Sequence, residues 1–388
     1  MERPDSHDSF LEAARAFIAG EIAPRARDAD AAEQFDLALF QEMGRRGFLG
    51  APLPEEFGGQ GLGYAFFYRH LLREVAAASA SVASALVAHT SLTAGPLLRF
   101  GSKEQKARYL PALASGAKLG AFAVTEPNAG SDMAAVELFA ESRGEGYVLN
   151  GEKIFITNAN VADLFLVAAR TSPDQAAMGI SLFIVEKGTP GFTVSGKSPR
   201  KLGMRASDTG SLRFENAVVP SANLLGRKGL GLAMMNHALT GSRVGMAAIA
   251  LGLSEAAYRL CLERARTREQ FGKPIHQFQS VGNMLADMTV SIRAGEQLLE
   301  RAVVGMDEGK NVPLDASIAK LFASETATRV TKDAIQIFGG YGYYGDLPLE
   351  RFFRDAKLTE IADGSSELQR LLIADEVMRK AGKASTSK

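Results

Sequence analysis

Apolar positions along the 388-residue chain follow a helical period at both ends and an alternating one between. From Ser9 to about Ala117 they recur as in Phe10, Ala13, Ala14, Phe17 and Ile18, with breaks at Pro24, at Pro52 to Gly63 and at Gly101. After Pro127 the period shortens to two, in runs from Tyr147 to Ile156, Leu164 to Ala168, Ser181 to Val185, Phe192 to Val194 and Ser211 to Phe214. Asn150-Gly151 and Pro190-Gly191 supply turn chemistry among them. From Leu230 the helical period returns over roughly 231–266, 278–308 and 313–338, then in a shorter helix from about Ser366 to Lys380. The pattern predicts an α+β chain in three parts: a helical domain (1–120), an antiparallel β domain (121–228) and a helical domain (229–388). The last six or so residues read as a disordered tail.

Composition narrows the class. With 46% hydrophobic and 23% charged residues, disorder and small disulfide scaffolds are excluded. Lys+Arg and Asp+Glu are both 44, so no net charge marks a nucleic-acid or anionic-membrane partner, and a compact ligand is expected. One cysteine, Cys261, fits a reducing compartment. The longest uncharged stretch, Val75 to Leu98, is rich in Ala and Ser and broken by His89 and Pro96, and reads as a buried helix plus a loop. Glu2, Asp5 and Asp8 precede any apolar run, unlike a secretory or transit segment, so a cytoplasmic location is expected.

Two phosphate-binding patterns occur by letter and fail on context. Gly191 to Ser198 matches a P-loop, with Lys197 as the phosphate lysine, but Pro199 follows where a helix should open. Gly340 to Gly345 matches a dinucleotide fingerprint but follows the end of a predicted helix rather than a strand, and reads as a glycine-rich turn. The five histidines form no metal-ligand pair, and no nucleophile elbow occurs. Cys261 lies in an apolar helical stretch and reads as structural.

Six segments remain: Phe122 to Asp132, Phe155 to Asn158, Lys201 to Ser207, Arg268 to Gly272, Gln336 to Gly340 and Asp363 to Arg370. In this order, over about residues 9–380, the chain resembles the acyl-CoA dehydrogenase family, FAD enzymes built of a helical domain, a β-barrel domain and a C-terminal four-helix bundle. The resemblance implies that Phe122, Val124, Thr125, Gly130 and Ser131 lie along the isoalloxazine, with Ser131 also reaching substrate. Phe155, Ile156 and Thr157 match a triplet whose ring packs on the flavin and whose hydroxyl bonds to N5; read alone, they are a strand alternating in and out. Arg268, Gln270, Phe271, Phe278, Gln279, Gln336, Phe338, Gly339 and Gly340 match a cradle for the rest of FAD supplied by a neighbouring subunit. Ser365 and Glu367 complete the cofactor set. The resemblance therefore implies a homotetramer, or at least a homodimer, with electron-transferring flavoprotein as acceptor.

The base departs from the pattern. Most family members carry Glu where this chain has Asp363, taking the α-proton of an acyl-CoA thioester while a β-hydride leaves for flavin N5. A branch of the family places its base near the start of the long helix, where Ser242 stands and cannot serve. Asp is shorter by about 1.5 Å, and a misplacement of about 1 Å can cost about 100-fold. An Asp before Gly364-Ser365-Ser366 also reads as a helix cap. Arg243, Ala362 and Gly364 are the further substrate-side candidates; Ala362 replaces the Tyr of straight-chain enzymes and implies a wider pocket for a cyclic or branched acyl group. Alternatives are a nitroalkane oxidase-like flavoprotein, a carrier-protein-linked dehydrogenase and a catalytically silent flavin-binding protein.

Overall fold

A computed structural model describes residues 7–173, 177–196 and 198–385. The N-terminal part is helical: α1 (His7–Phe17), α2 (Ala26–Ala32), α3 (Leu37–Arg45), α4 (Gly63–Phe66), α5 (Leu72–Ala78), α6 (Ala80–Leu86), α7 (Gly95–Phe100) and α8 (Lys103–Ala114). π-helical turns at Phe67–Leu71 and Val87–Ala94 join α4 to α5 and α6 to α7. The uncharged stretch therefore contains no loop. It bends at Ser79, whose side chain caps α6, and the widened Val87–Ala94 turn runs on without a break into α7, which carries Pro96. Ala80–Phe100 is long and apolar enough to cross a membrane, as is Gly231–Thr267, but both are mostly buried inside the fold, which accounts for their composition.

The middle part is one eight-stranded sheet: β1 (Gly120–Ala123), β2 (Phe139–Arg143), β3 (Gly146–Thr157), β4 (Leu164–Arg170), β5 (Ile180–Glu186), β6 (Phe192–Val194), β7 (Thr209–Pro220) and β8 (Leu224–Leu225). The hydrogen-bonded path runs β6-β7-β3-β2-β4-β5-β8, with β1 beside β4. The expectation of a wholly antiparallel domain needs correction, because β1 pairs with β4 in parallel, Gly120 opposite Leu164 through Ala123 opposite Val167. An alternating pattern has the same period in either sense, and β1 meets β4 only after two intervening strands. β4 and β5 are buried on both faces. Leu164, Leu166, Ile180, Leu182 and Ile184 pack against the helices, while Phe165, Val167, Phe183 and Val185 fill the interior of the β domain.

The C-terminal part contains α9 (Gly231–Thr267), a two-stranded ribbon of β9 (Glu269–Gln270) and β10 (Lys273–Pro274), α10 (Gln279–Asp307), α11 (Pro313–Phe338), α12 (Gly340–Tyr343), α13 (Leu349–Ile361) and α14 (Ser366–Ser385). The four expected helices are present, and α12 and α13 are additional, α13 packed on α11 and α9. One apolar core runs through both helical parts, joining Phe10, Phe48 and Leu71 to Val244, Leu251, Leu299 and Phe352. Helix α14 reaches Ser385, so of the expected tail only 386–388 lie outside the described residues, as do Glu2 and Asp5.

Candidate active site

Asp363 sits in the four-residue connection, Ala362 to Ser365, between α13 and α14. Its φ of 56° is a left-handed conformation that Asp tolerates, and Gly364 follows at 97°, where a side chain would also meet Gln369 Nε2 at 2.7 Å. Two buried side chains clamp this turn. Lys320 Nζ of α11 donates to the Gly364 carbonyl at 2.7 Å and Gln369 Nε2 of α14 donates to it at 2.9 Å. The capping of α14 belongs to Ser365, whose Oγ accepts the Leu368 N–H at 3.3 Å. The Asp363 carboxylate is therefore not spent as a cap. Instead its Oδ2 accepts a hydrogen bond from Ser242 Oγ of α9, a residue 121 positions away.

Burial pushes the Asp363 carboxyl above the ordinary carboxylate range, against the opposing pulls of Ser242, Lys320 and Arg243. Burial likewise lowers the Lys320 ammonium to about 8. Arg243 is buried, and its Nε has no hydrogen-bond partner among the described residues. Tyr68 stands over α9, where a side chain on Gly241 would come within 3.0 Å of its hydroxyl, and that hydroxyl donates to Ser91 Oγ at 2.9 Å.

A second group forms where β1 and β3 approach. In β3 the register with β7 jumps between Lys153 and Ile156, and this bulge carries Phe155 at a φ of 57°. The kink turns the Phe155 ring outward, 69% exposed, while Ile156 points into the β core and Thr157 stays half-buried. The Ile154 N–H donates to the Thr125 carbonyl at 2.9 Å, so Phe122 to Thr125 and Phe155 to Thr157 lie together. Of these, Val124 is buried in the core between sheet and helices; Ile156 can offer a ligand only its backbone. Gly130 and Ser131 occupy an exposed loop beyond β1.

Two residues that sequence reasoning passed over hold this group. Lys153 Nζ, fully buried, donates to Glu126 Oε1 at 2.6 Å and to the Val124 carbonyl at 2.9 Å. Glu126 also accepts the N–H groups of Glu137 (2.6 Å) and Leu138 (3.0 Å). A lysine at an inward position of an alternating strand was the available signal. The group is joined to the helical part by His89 and Asn158: Nδ1 of His89 accepts the Gly120 N–H at 3.1 Å, and Asn158 Nδ2 donates to the Ala85 carbonyl at 3.0 Å. The same π-helical turn carries Ser91, the partner of Tyr68, so one buried element connects β1 to the surroundings of Asp363.

The third group lies at the far end of α9. Arg268, Gln270, Phe271, Gln279, Gln336, Gly339 and Gly340 are all exposed, and Phe278 and Phe338 are half-buried. The Arg264 guanidinium lies 4.8 Å from the Tyr341 ring centre and 5.4 Å from that of Phe338, which brings the ends of α9 and α11 together. Gly339, with φ 60° and ψ −135°, adopts a conformation essentially reserved for glycine and has open space where a side chain would stand. From Ser242 to Thr267 the helix spans about 38 Å. The structure thus links the first and second groups through the Val87–Ala94 turn and places the third towards the other end of α9 from Ser242.

Uncovered aromatic faces (Phe155, and Phe271 at 93% exposure), a buried Arg264 Nε without a hydrogen-bond partner among the described residues, and bare glycine backbone at 339 and 340 fit a flavin nucleotide. Family models described as the N-terminal, middle and C-terminal domains of acyl-CoA dehydrogenase match residues 4–117, 121–217 and 228–378. An acyl-CoA dehydrogenase of Bacillus subtilis is 46% identical over 360 residues, 93% of this chain and 94% of its own. The chain belongs to the acyl-CoA dehydrogenase family.

The butyryl-CoA dehydrogenase structure of Megasphaera elsdenii superposes with a TM-score of 0.93 at 41% identity, covering 97% of this chain and 99% of that one. A chain from a study of the electron-transferring flavoprotein of Acidaminococcus fermentans and flavin-based electron bifurcation gives 0.94 at 41% identity, covering 97% and 98%. The chain is a flavoprotein oxidoreductase with FAD as cofactor, acting in acyl-CoA dehydrogenation. Its two nucleotide-like letter patterns have other uses. Gly191 leads into the short strand β6, with Lys197 outside the described residues, and Gly340 opens the one-turn helix α12 where a glycine-rich turn was expected. No cluster of His, Cys, Asp or Glu suited to a metal occurs among the described residues, and burial pushes the Cys261 thiol up to about 12.

Proposed function

We propose that the chain dehydrogenates an acyl-CoA thioester between its α and β carbons, with Asp363 as the general base. The observation that carries this reading is the seat of Asp363: a half-buried carboxylate between α9 and α11, beside the buried Ser242, Arg243 and Lys320, with the capping of α14 left to Ser365. Raising a carboxyl above its ordinary range strengthens it as a base towards a carbon acid. Arg243, with its unpartnered Nε, and Lys320 place positive charge where negative charge develops on the thioester, and the backbone at Asp363 and Gly364 offers N–H groups to its carbonyl. FAD, when bound, supplies the hydride acceptor. Phe155 supplies an apolar face for it, Thr157 a hydroxyl, and Ser131 a contact shared with substrate.

Arg268, Gln270, Phe271, Phe278, Gln279, Gln336 and the Gly339-Gly340 backbone hold the rest of the cofactor from a neighbouring subunit of a homotetramer. The length of α9 supports this sharing, since it sets Ser242 about 38 Å from the end that carries Arg268. Ser365 and Glu367 complete the contacts, and electron-transferring flavoprotein is the acceptor. For the acyl group we propose a cyclic or branched chain. Ala362 and the short base leave room beside the reacting carbons, which a broader group fills better than a thin one.

The test is Asp363→Asn in an anaerobic flavin-reduction assay. The amide keeps the shape of the turn and cannot accept a proton, so folding and FAD content hold while reduction falls by about 100-fold to 10,000-fold. Reduction at the native rate would refute the assignment.

A further inference from the structure

Among the described residues, one of the two oxygens of the shortened base is committed, and the commitment comes from a position that the reaction itself does not use. Oδ2 of Asp363 accepts the Ser242 hydroxyl, and Ser242 is fully buried on α9, one residue before Arg243. The backbone origin of the side chain is set independently: Lys320 and Gln369 both donate to the Gly364 carbonyl, and Gln369 Nε2 also reaches the Asp363 carbonyl at 3.4 Å. A carboxylate with a clamped origin and one tethered oxygen has its remaining oxygen fixed in direction. For a base lacking one methylene, that direction decides whether the proton is within reach.

We infer that Ser242 is a positioning residue that tethers Oδ2 of Asp363 to α9 and leaves Oδ1 as the atom that receives the α-proton. The inference rests on Asp363 being the base. The α C–H bond breaks, its proton bonds to Oδ1, and its electron pair forms the new double bond as the β-hydride departs to the flavin. Ser242 transfers nothing: its O–H donates to Oδ2 before and after, more strongly while the carboxyl is ionised. The charged and titratable groups facing Asp363 are Arg243 from α9, Lys320 from α11 and Tyr68 from the π-helical turn before α5. Ser242 adds no charge to this set, so replacing it leaves those electrostatics in place. The bond favours the carboxylate and opposes the upward push of burial; its loss therefore raises the apparent pKa of the base.

The experiment is anaerobic stopped-flow reduction of the holoenzyme flavin by a saturating acyl-CoA substrate across pH, for the wild type, Ser242→Ala, Ser242→Thr and Asp363→Asn. Flavin content and substrate affinity are measured on each variant. Ser242→Ala is expected to move the acid limb of the rate profile up by about one pH unit. It should also lower the plateau rate by about 10-fold to 100-fold. FAD content and substrate affinity should remain unchanged, and Ser242→Thr, which restores a hydroxyl, should return the limb towards its wild-type position. An unmoved limb and plateau in a folded, flavin-loaded Ser242→Ala enzyme overturn the inference, as does a Thr variant that behaves like Ala. If Asp363→Asn is itself fully active, the base assignment fails first. Loss of activity in Asp363→Asn beside a wild-type Ser242→Ala profile removes only the tether.

Discussion

Acidification should weaken this protein through His89, at the junction of the helical and β parts. The imidazole is fully buried, with Nε2 3.0 Å from the Leu113 carbonyl and Nδ1 accepting the Gly120 N–H. Those partners demand the neutral tautomer with its proton on Nε2, since a second proton on Nδ1 would face the Gly120 donor. Burial lowers the imidazole from its ordinary 6.5 to about 4, opposed by the bond to Leu113. A lowered folded-state pKa means that the unfolded chain binds more protons between those two values, so stability rises with pH through the window and is lost as pH falls below about 6.5. The full loss, reached below pH 4, is about 3 kcal/mol, and the part between pH 7 and pH 5 is about 2 kcal/mol.

Gly120 opens the strand that continues into Phe122 to Thr125, so FAD release should accompany the weakening. The assay is denaturant unfolding at pH 7 and pH 5, followed by far-UV dichroism and by flavin fluorescence, for the wild type and His89→Gln. Glutamine can serve the same two partners without titrating. Whatever its offset at pH 7, the variant should lose about 2 kcal/mol less than the wild type over the interval. Equal losses in the two proteins, within about 0.5 kcal/mol, would show that His89 remains satisfied when protonated and that other groups carry the acid sensitivity.

Lys153→Met leaves the buried Glu126 side chain without its cation and should destabilise the β domain by about 3 to 5 kcal/mol; Lys153→Met with Glu126→Gln should recover part of that in denaturant unfolding, and strict additivity would sink the pairing argument. Arg268→Ala should weaken FAD binding by about 10-fold to 100-fold, the worth of a charge-assisted bond, and make retention depend on protein concentration. Full FAD retention by a stable monomer would refute the shared site. Ala362→Tyr should shift the rate of flavin reduction towards linear acyl-CoA esters. If butyryl-CoA or octanoyl-CoA already reduces the wild-type flavin faster than cyclohexanecarboxyl-type esters, the broad-substrate proposal fails.

The helical, β and helical order could be read from the chain because a period of 3.6 and a period of 2 bury different sets of residues, and burial is local in cause. The motif segments were readable for a related reason. Asp363-Gly364 and Gly339-Gly340 announce backbone conformations that few residues adopt, and both turns appear where those letters stand. Tertiary packing alone decided the parallel pairing of β1 with β4, because alternation specifies a buried face and not a neighbour. It decided that Phe155 turns outward while Ile156 turns in, since the bulge depends on the register with β7. It made Ser365 the cap of α14 and released Asp363 to meet Ser242, 121 residues away. It also joined Lys153 to Glu126 and Lys320 to Gly364. Such contacts have no sequence period. They form where helices and strands, each shaped by local pattern, are pressed together by a shared core, and a buried charge or hydroxyl must then find its partner in whatever the packing has brought near.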